Sequence, residues 1–200
     1  MNMSTKVATE FWTSQKRYPF SFTRKRRLHE LNYLVPRLEK LGGKRLLDLG
    51  CGDGSLLECL LRITDYEELH GYDVAADLLA GIDPRISTRV YDISDPGPLP
   101  EVDATIVAGV IQYVFDDDVV DRVLSLVRSP MIWLRSTCTL KQECESVERD
   151  DYASKYRTVD ETRALIAKHF NVTSIERVYP DELESAYGTK QFYFEGTRRL

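Results

Sequence analysis

The chain is expected to fold as an α/β unit: a doubly wound, seven-stranded, mostly parallel sheet with an antiparallel C-terminal hairpin and helices on both faces. Short apolar runs alternate with segments whose apolar residues recur at helical spacing, a glycine-rich turn joins the first such run to a helix, and the last two runs alternate as paired strands do.

Taken in order, Leu28, Leu31, Val35, Leu38 and Leu41 predict a helix over 24–41 that Pro36 should kink or divide and Gly42-Gly43 should end. Residues 45–49 read as a short buried strand, and the turn at 50–54 opens a helix carrying Leu56, Leu57, Leu60 and Leu61. A strand near 68–72, a helix near 75–82 and a strand near 86–91 follow, then a proline-rich loop at 95–100 that no helix can cross. Residues 102–108 are apolar almost throughout, as suits a central parallel strand covered on both faces. Val119, Val120, Val123, Leu124 and Val127 mark a helix over 117–128, and 131–134 a fifth strand. The polar stretch 136–157 has no clear period and reads as a long loop of the kind that forms lids. Thr158 with Glu161 makes a capping box for a helix to about residue 170. The runs 172–179 and 191–197 close the sheet as antiparallel strands around a loop containing Gly188.

Two hundred residues suffice for one compact unit with a core of its own. The longest nearly unbroken apolar run, 104–111, is far short of the ~20 residues a membrane-spanning helix needs. The opening stretch lacks the apolar centre of a secretory signal, so the expected location is the cytoplasm. Cysteines 51, 59, 138 and 144 show no C-x-x-C spacing and the three histidines lie apart from them, which argues against a metal site and for free thiols. The net charge of −5 conceals an asymmetry: residues 1–45 hold eleven Lys/Arg against three Asp/Glu, so the remainder carries −13. Lys16, Arg17, Arg24, Lys25, Arg26 and Arg27 interleave with Phe11, Trp12, Tyr18, Phe20 and Phe22, a surface fit either for an anionic partner or for docking on the rest of the chain.

The stretch most informative about chemistry is Asp48-Leu49-Gly50-Cys51-Gly52-Asp53-Gly54, with glycine at every second position directly after an apolar strand. Glycine admits backbone conformations closed to other residues and lets a ligand lie against the chain where a helix N-terminus presents free N–H groups. A dinucleotide turn spaces its glycines G-x-G-x-x-G; here the third comes one residue early, and an acid precedes the first. In this the chain resembles the class I, Rossmann-like S-adenosylmethionine-dependent methyltransferases, whose D/E-x-G-x-G-x-G signature is matched by Asp48, Gly50, Gly52 and Gly54. The resemblance implies S-adenosylmethionine as cofactor, with Cys51 in the same turn. It further implies that Asp73, beside Val74 and 19 residues after Gly54, accepts the ribose hydroxyls. Asp92 would accept the adenine amino group, Ile93 would pack on the ring, and the segment from Gly109 to Tyr113 would line the methionine end and face the substrate. The implied organisation is a methyltransferase domain over 1–200, with a helical lid extension at 1–44 and a Rossmann-like core at 45–200.

Many small-molecule members of that family have a histidine near the position of Gln112; glutamine can orient an acceptor but cannot serve as a base. The catalytic candidates are therefore Gln112 and Tyr113 for orientation and Asp150 and Asp151, with Glu143, Glu145 and Glu148, as bases in the 136–157 stretch. Tyr18 and Arg24, in the basic aromatic segment, and Arg157, where the long loop returns, are the candidate substrate contacts; a plain salt bridge is an equal reading of Arg157. The expected reaction is O-methylation of a small polar or anionic acceptor: a sugar, a glycan terminus or a phosphorylated metabolite. RNA or protein methylation and non-catalytic cofactor binding are the alternatives; overall acidity counts against a nucleic-acid partner, and oligomeric state is left open.

Overall fold

The computed structural model describes residues 3–17, 19, 24–149, 152–184 and 188–199. Two helices, α1 (Met3–Thr13) and α2 (Arg24–Leu41), precede the sheet. There follow β1 (Arg45–Leu49), α3 (Ser55–Ile63), β2 (Glu68–Asp73), α4 (Ala76–Leu79), β3 (Ser87–Val90), β4 (Ala104–Ala108) and α5 (Asp117–Leu126). The chain ends with β5 (Met131–Thr139), the hairpin β6 (Glu145–Arg149) and β7 (Tyr152–Tyr156), α6 (Val159–Ala167), β8 (Phe170–Arg177) and β9 (Thr189–Arg198). The main sheet runs β3-β2-β1-β4-β5-β9-β8, parallel except for β9, which pairs antiparallel with both β5 and β8.

Strand alternation sends neighbouring residues to opposite faces, and each face has its own core. Leu47, Val107, Ile132 and Leu134 pack with Val120, Val123 and Leu124 of α5 and Leu165 and Ile166 of α6. On the other face Leu46, Ile106 and Trp133 pack with Leu34 and Leu38 of α2, Leu56, Leu57 and Leu60 of α3, and Leu79 of α4. Strand order reverses between β1 and β4, so the crevice at their carboxyl ends is where a doubly wound sheet receives ligands.

Three expectations are corrected. Residues 136–157 are not a loop: β5 continues to Thr139 against β9, and β6–β7 form a separate two-stranded sheet. Within that hairpin only Ala153 and Ser154 are buried, so no apolar face marks the strands in the sequence. Pro36 does not divide α2; the carbonyl it leaves unbonded, on Asn32, belongs to an exposed residue that water can satisfy. The 75–82 helix shrinks to α4, cut short by Gly81 and the restriction Pro84 places on Asp83. The capping box is as expected: Thr158 Oγ1 accepts the Glu161 N–H and the Glu161 carboxylate accepts the Thr158 N–H.

Helix α1, which its Ser- and Thr-rich sequence does not advertise, lies across the end of β7 and the turn at 111–113. Ala8 packs with Phe115 and Ala153 in a small cluster of its own, and Thr5 Oγ1 accepts the Phe115 N–H (3.0 Å). Among the described residues, no helix is long and apolar enough to cross a membrane.

Candidate functional site

After β1 the chain turns through Gly50 (φ 82), Gly52 (φ 58) and Gly54 (φ 71), all left-handed. Gly50 is obligatory twice over, because a Cβ there would lie 2.1 Å from Val110 Cγ2 in the turn after β4. The turn is braced from β2: the Tyr72 carbonyl accepts the Gly50 and Cys51 N–H groups, and the Asp73 carboxylate accepts the Gly52 N–H (2.8 Å) and the Ala75 N–H (2.9 Å). Burial raises the Asp73 carboxyl above the usual range, while the N–H groups of Ala75, Gly52 and Val74 pull the other way. Asp92 caps its own turn, accepting from the Ser94 N–H (2.8 Å) and hydroxyl (2.6 Å). Cys51 turns its side chain inward, its Sγ 3.0 Å from where a Gly71 Cβ would be, and burial raises the thiol far above its normal range. Its contribution to a ligand is therefore backbone.

Two cavities meet along Gly50 and Ala108. One is walled by Asp73, Val74, Asp92, Ile93, Gly109 and Tyr113, with Thr5, Ala8, Thr9 and Trp12 of α1 above them. Around its rim Trp12, Tyr113, Tyr152 and Phe11 meet edge to face, at 5.1 Å, 6.0 Å and 5.3 Å between successive centroids. The second cavity, about 550 Å³, falls within the range of small-molecule sites and runs along α2. Arg24, Arg27, Glu30, Asp48 and Arg135 line it.

Asp48 is 2% exposed and its Oδ1 has no hydrogen-bond partner. Burial pushes its carboxyl up to about 7, with Glu30 and Asp73 adding to the effect and Arg27 and Arg135 opposing it. A buried, unpartnered acid facing a cavity is what a cationic ligand group would satisfy.

No protein-family model matches the chain. Over 82 residues, 40% of this chain, it is 27% identical to the trans-aconitate 2-methyltransferase of Mycolicibacterium gilvum (strain PYR-GCK); the match spans 32% of that protein's length. Among solved structures it superposes on a SAM-dependent methyltransferase of Leishmania major with TM-score 0.77 at 14% identity, covering 96% of this chain and 82% of that one. An S-adenosylmethionine-dependent methyltransferase of Mesorhizobium loti gives TM-score 0.66 at 16% identity over 85% of this chain and 98% of the other. The fold is that of the class I S-adenosylmethionine-dependent methyltransferases.

Within this methyltransferase fold the expected cofactor positions converge: Asp48, Gly50, Gly52, Asp73, Val74, Asp92, Ile93 and Gly109 all line one or both cavities. Gly54 instead caps α3 from below the turn. Of the catalytic candidates, Tyr113 lines the α1-covered cavity, whereas Gln112 is buried and borders neither. Asp150 and Asp151 lie outside the described residues, as does Tyr18. Arg24 borders the larger cavity. Arg157 is a structural tie: 2% exposed, it donates to Asp117 and to the carbonyls of Ile111 and Val114 (3.0 Å and 2.7 Å), fixing the turn after β4. Burial works against ionising Asp117, but Lys155 and Arg157 outweigh it and hold its carboxyl below the usual range. Thr9, Glu30 and Arg135 were not foreseen, whereas Arg27 belongs to the basic cluster expected either to meet an anionic partner or to dock on the rest of the chain; the trace of Glu30 and Arg135 in the sequence is a charged residue set in the apolar runs 28–41 and 131–135.

Proposed function

We propose that the protein is an S-adenosylmethionine-dependent methyltransferase acting on an oxygen of a small polar or anionic acceptor. The observation that carries this is the glycine turn at 50–54 with Asp48, Asp73 and Asp92 at three neighbouring strand ends, opening on two joined cavities. The cradle fits the cofactor: Asp73 and Asp92 suit a ribose diol and an adenine amino group, Val74 and Ile93 the ring, and the unpartnered Asp48 an ammonium. When bound, the cofactor supplies a methyl group already activated by its sulfonium, so the chain's work is to position the acceptor and exclude water. Helix α1, which lines the smaller cavity and packs against β7, serves with the β6–β7 hairpin behind it as the lid. The three arginines on the larger cavity favour an anionic acceptor. Trans-aconitate, the acceptor in the name of the Mycolicibacterium gilvum relative, is of that class.

Calorimetry on the folded chain with S-adenosylhomocysteine tests the cofactor half, and transfer of labelled methyl to fractionated metabolites tests the acceptor half. Binding that Asp73→Ala weakens by about tenfold or more, and labelled small acidic products, are expected. A folded chain that gives no heat overturns the reading.

A further inference from the structure

A helix whose inward face is small and polar buries little apolar surface and is held loosely. The inward residues of α1, Thr5, Ala8, Thr9 and Trp12, follow the i, i+3, i+4, i+7 spacing of one helix face, yet three of the four are threonine or alanine. The contacts that seat them include Ala8 against Phe115 and Ala153, the Phe115 N–H on Thr5 Oγ1 (3.0 Å) and the Ser4 hydroxyl on the Glu148 carboxylate (2.8 Å). None of these residues belongs to either main core, so α1 can leave its seat while the sheet stays folded. The same stripe roofs the cavity walled by Asp73, Val74, Asp92 and Ile93, the residues that suit a ribose and an adenine. With α1 seated that cavity measures about 70 Å³, far under the roughly 300–1,000 Å³ of sites that enclose a small molecule. The larger cavity joins it at Gly50 and Ala108 but is bordered by none of those four residues, so it lends the nucleoside no room beside them.

Resting on the methyltransferase reading above, we propose that α1 is the gate of the cofactor's nucleoside pocket: it lifts from Phe115 and Ala153 to admit the cofactor, closes over the adenosyl group, and lifts again to release the demethylated product. The floor is fixed, because Asp73 is tied to the Gly52 and Ala75 N–H groups and Asp92 to that of Ser94, which leaves the roof as the part that yields. A ligand that needs the open form arrives at a rate scaled by the fraction of molecules that are open, and a closed roof slows its departure as well. Weakening the seat of α1 therefore speeds arrival and departure together. Losing an ordinary contact to the bound ligand speeds departure alone.

The test is stopped-flow fluorescence of the full chain with S-adenosylhomocysteine; Trp12 borders the pocket and reports its filling, and rapid filtration of the labelled compound gives the same rates without that signal. Ala8→Glu, whose side chain does not fit against Phe115 and Ala153, should raise the association and dissociation rates alike by about tenfold or more. Thr5→Val, which takes the acceptor from the Phe115 N–H, should raise both by about threefold. Lys6→Ala, on the exposed side of α1, should change neither. Melting curves confirm that the variants are folded, and Thr5→Val carries the test if Ala8→Glu is not. Wild-type rates in the folded variants, or faster departure without faster arrival, overturn the gate and leave the methyltransferase reading standing. Absence of S-adenosylhomocysteine binding to the folded wild type overturns both.

Discussion

Asp48 couples the site to pH. Its folded-state carboxyl, raised to about 7 by burial, holds a proton that the unfolded chain releases near ~4. This group's stabilising contribution is therefore complete below about pH 4 and is lost as pH rises toward 7. Asp48→Asn, which cannot ionise, should match the wild type near pH 4 and exceed it above pH 7 by roughly 2–4 kcal/mol in urea unfolding. A ligand ammonium needs the ionised acid, so affinity for S-adenosylhomocysteine should climb between pH 6 and 8 in the wild type and stay flat over that interval in Asp48→Asn. Gly50→Ala tests the other requirement of the cradle: with φ 82 and a 2.1 Å approach to Val110, it should cost roughly 3 kcal/mol and abolish cofactor binding. These residues were legible because backbone strain and ligand charge leave a fixed spacing in the chain. Glu30 and Arg135 were not, because hydrophobic patterning assigns their buried positions to apolar side chains, and their pairing across 105 positions, with Arg27 and Gln191 beside them, makes burial tolerable.

At the scale of elements, the helices from α2 onward and the parallel strands were readable, most within a few residues, because all but the exposed edge strand β3 bury one face or both. The β6–β7 hairpin was not, since neither of its faces enters a main core. What ties the turn after β4 to that hairpin's exit is Arg157 rather than the hairpin's own packing. Arg157→Met removes the guanidinium from the Ile111 and Val114 carbonyls and leaves Asp117 to Lys155, and should cost roughly 3 kcal/mol. Thr158→Ala, which removes only the cap of α6, should cost about 1 kcal/mol. Chemical denaturation of the two variants side by side ranks these contributions, and equal losses would refute the role given to Arg157.

For the molecule as a whole, strand order and the two-faced core follow from the alternation of elements, whereas the place of α1 does not. It joins neither main core, and its short polar sequence carries no mark of what it covers. Deleting residues 1–22 should leave the denaturation midpoint nearly unchanged and remove turnover, as read by circular dichroism and labelled methyl transfer; retained turnover would refute the lid.

The meeting of the two cavities along Gly50 and Ala108 has a kinetic corollary. A cofactor with its nucleoside under α1 and its ammonium at Asp48 would span both cavities, so an acceptor arriving along α2 would cover it. Initial-rate plots for the two substrates should intersect left of the axis, and product inhibition should show the cofactor arriving first and its demethylated form leaving last.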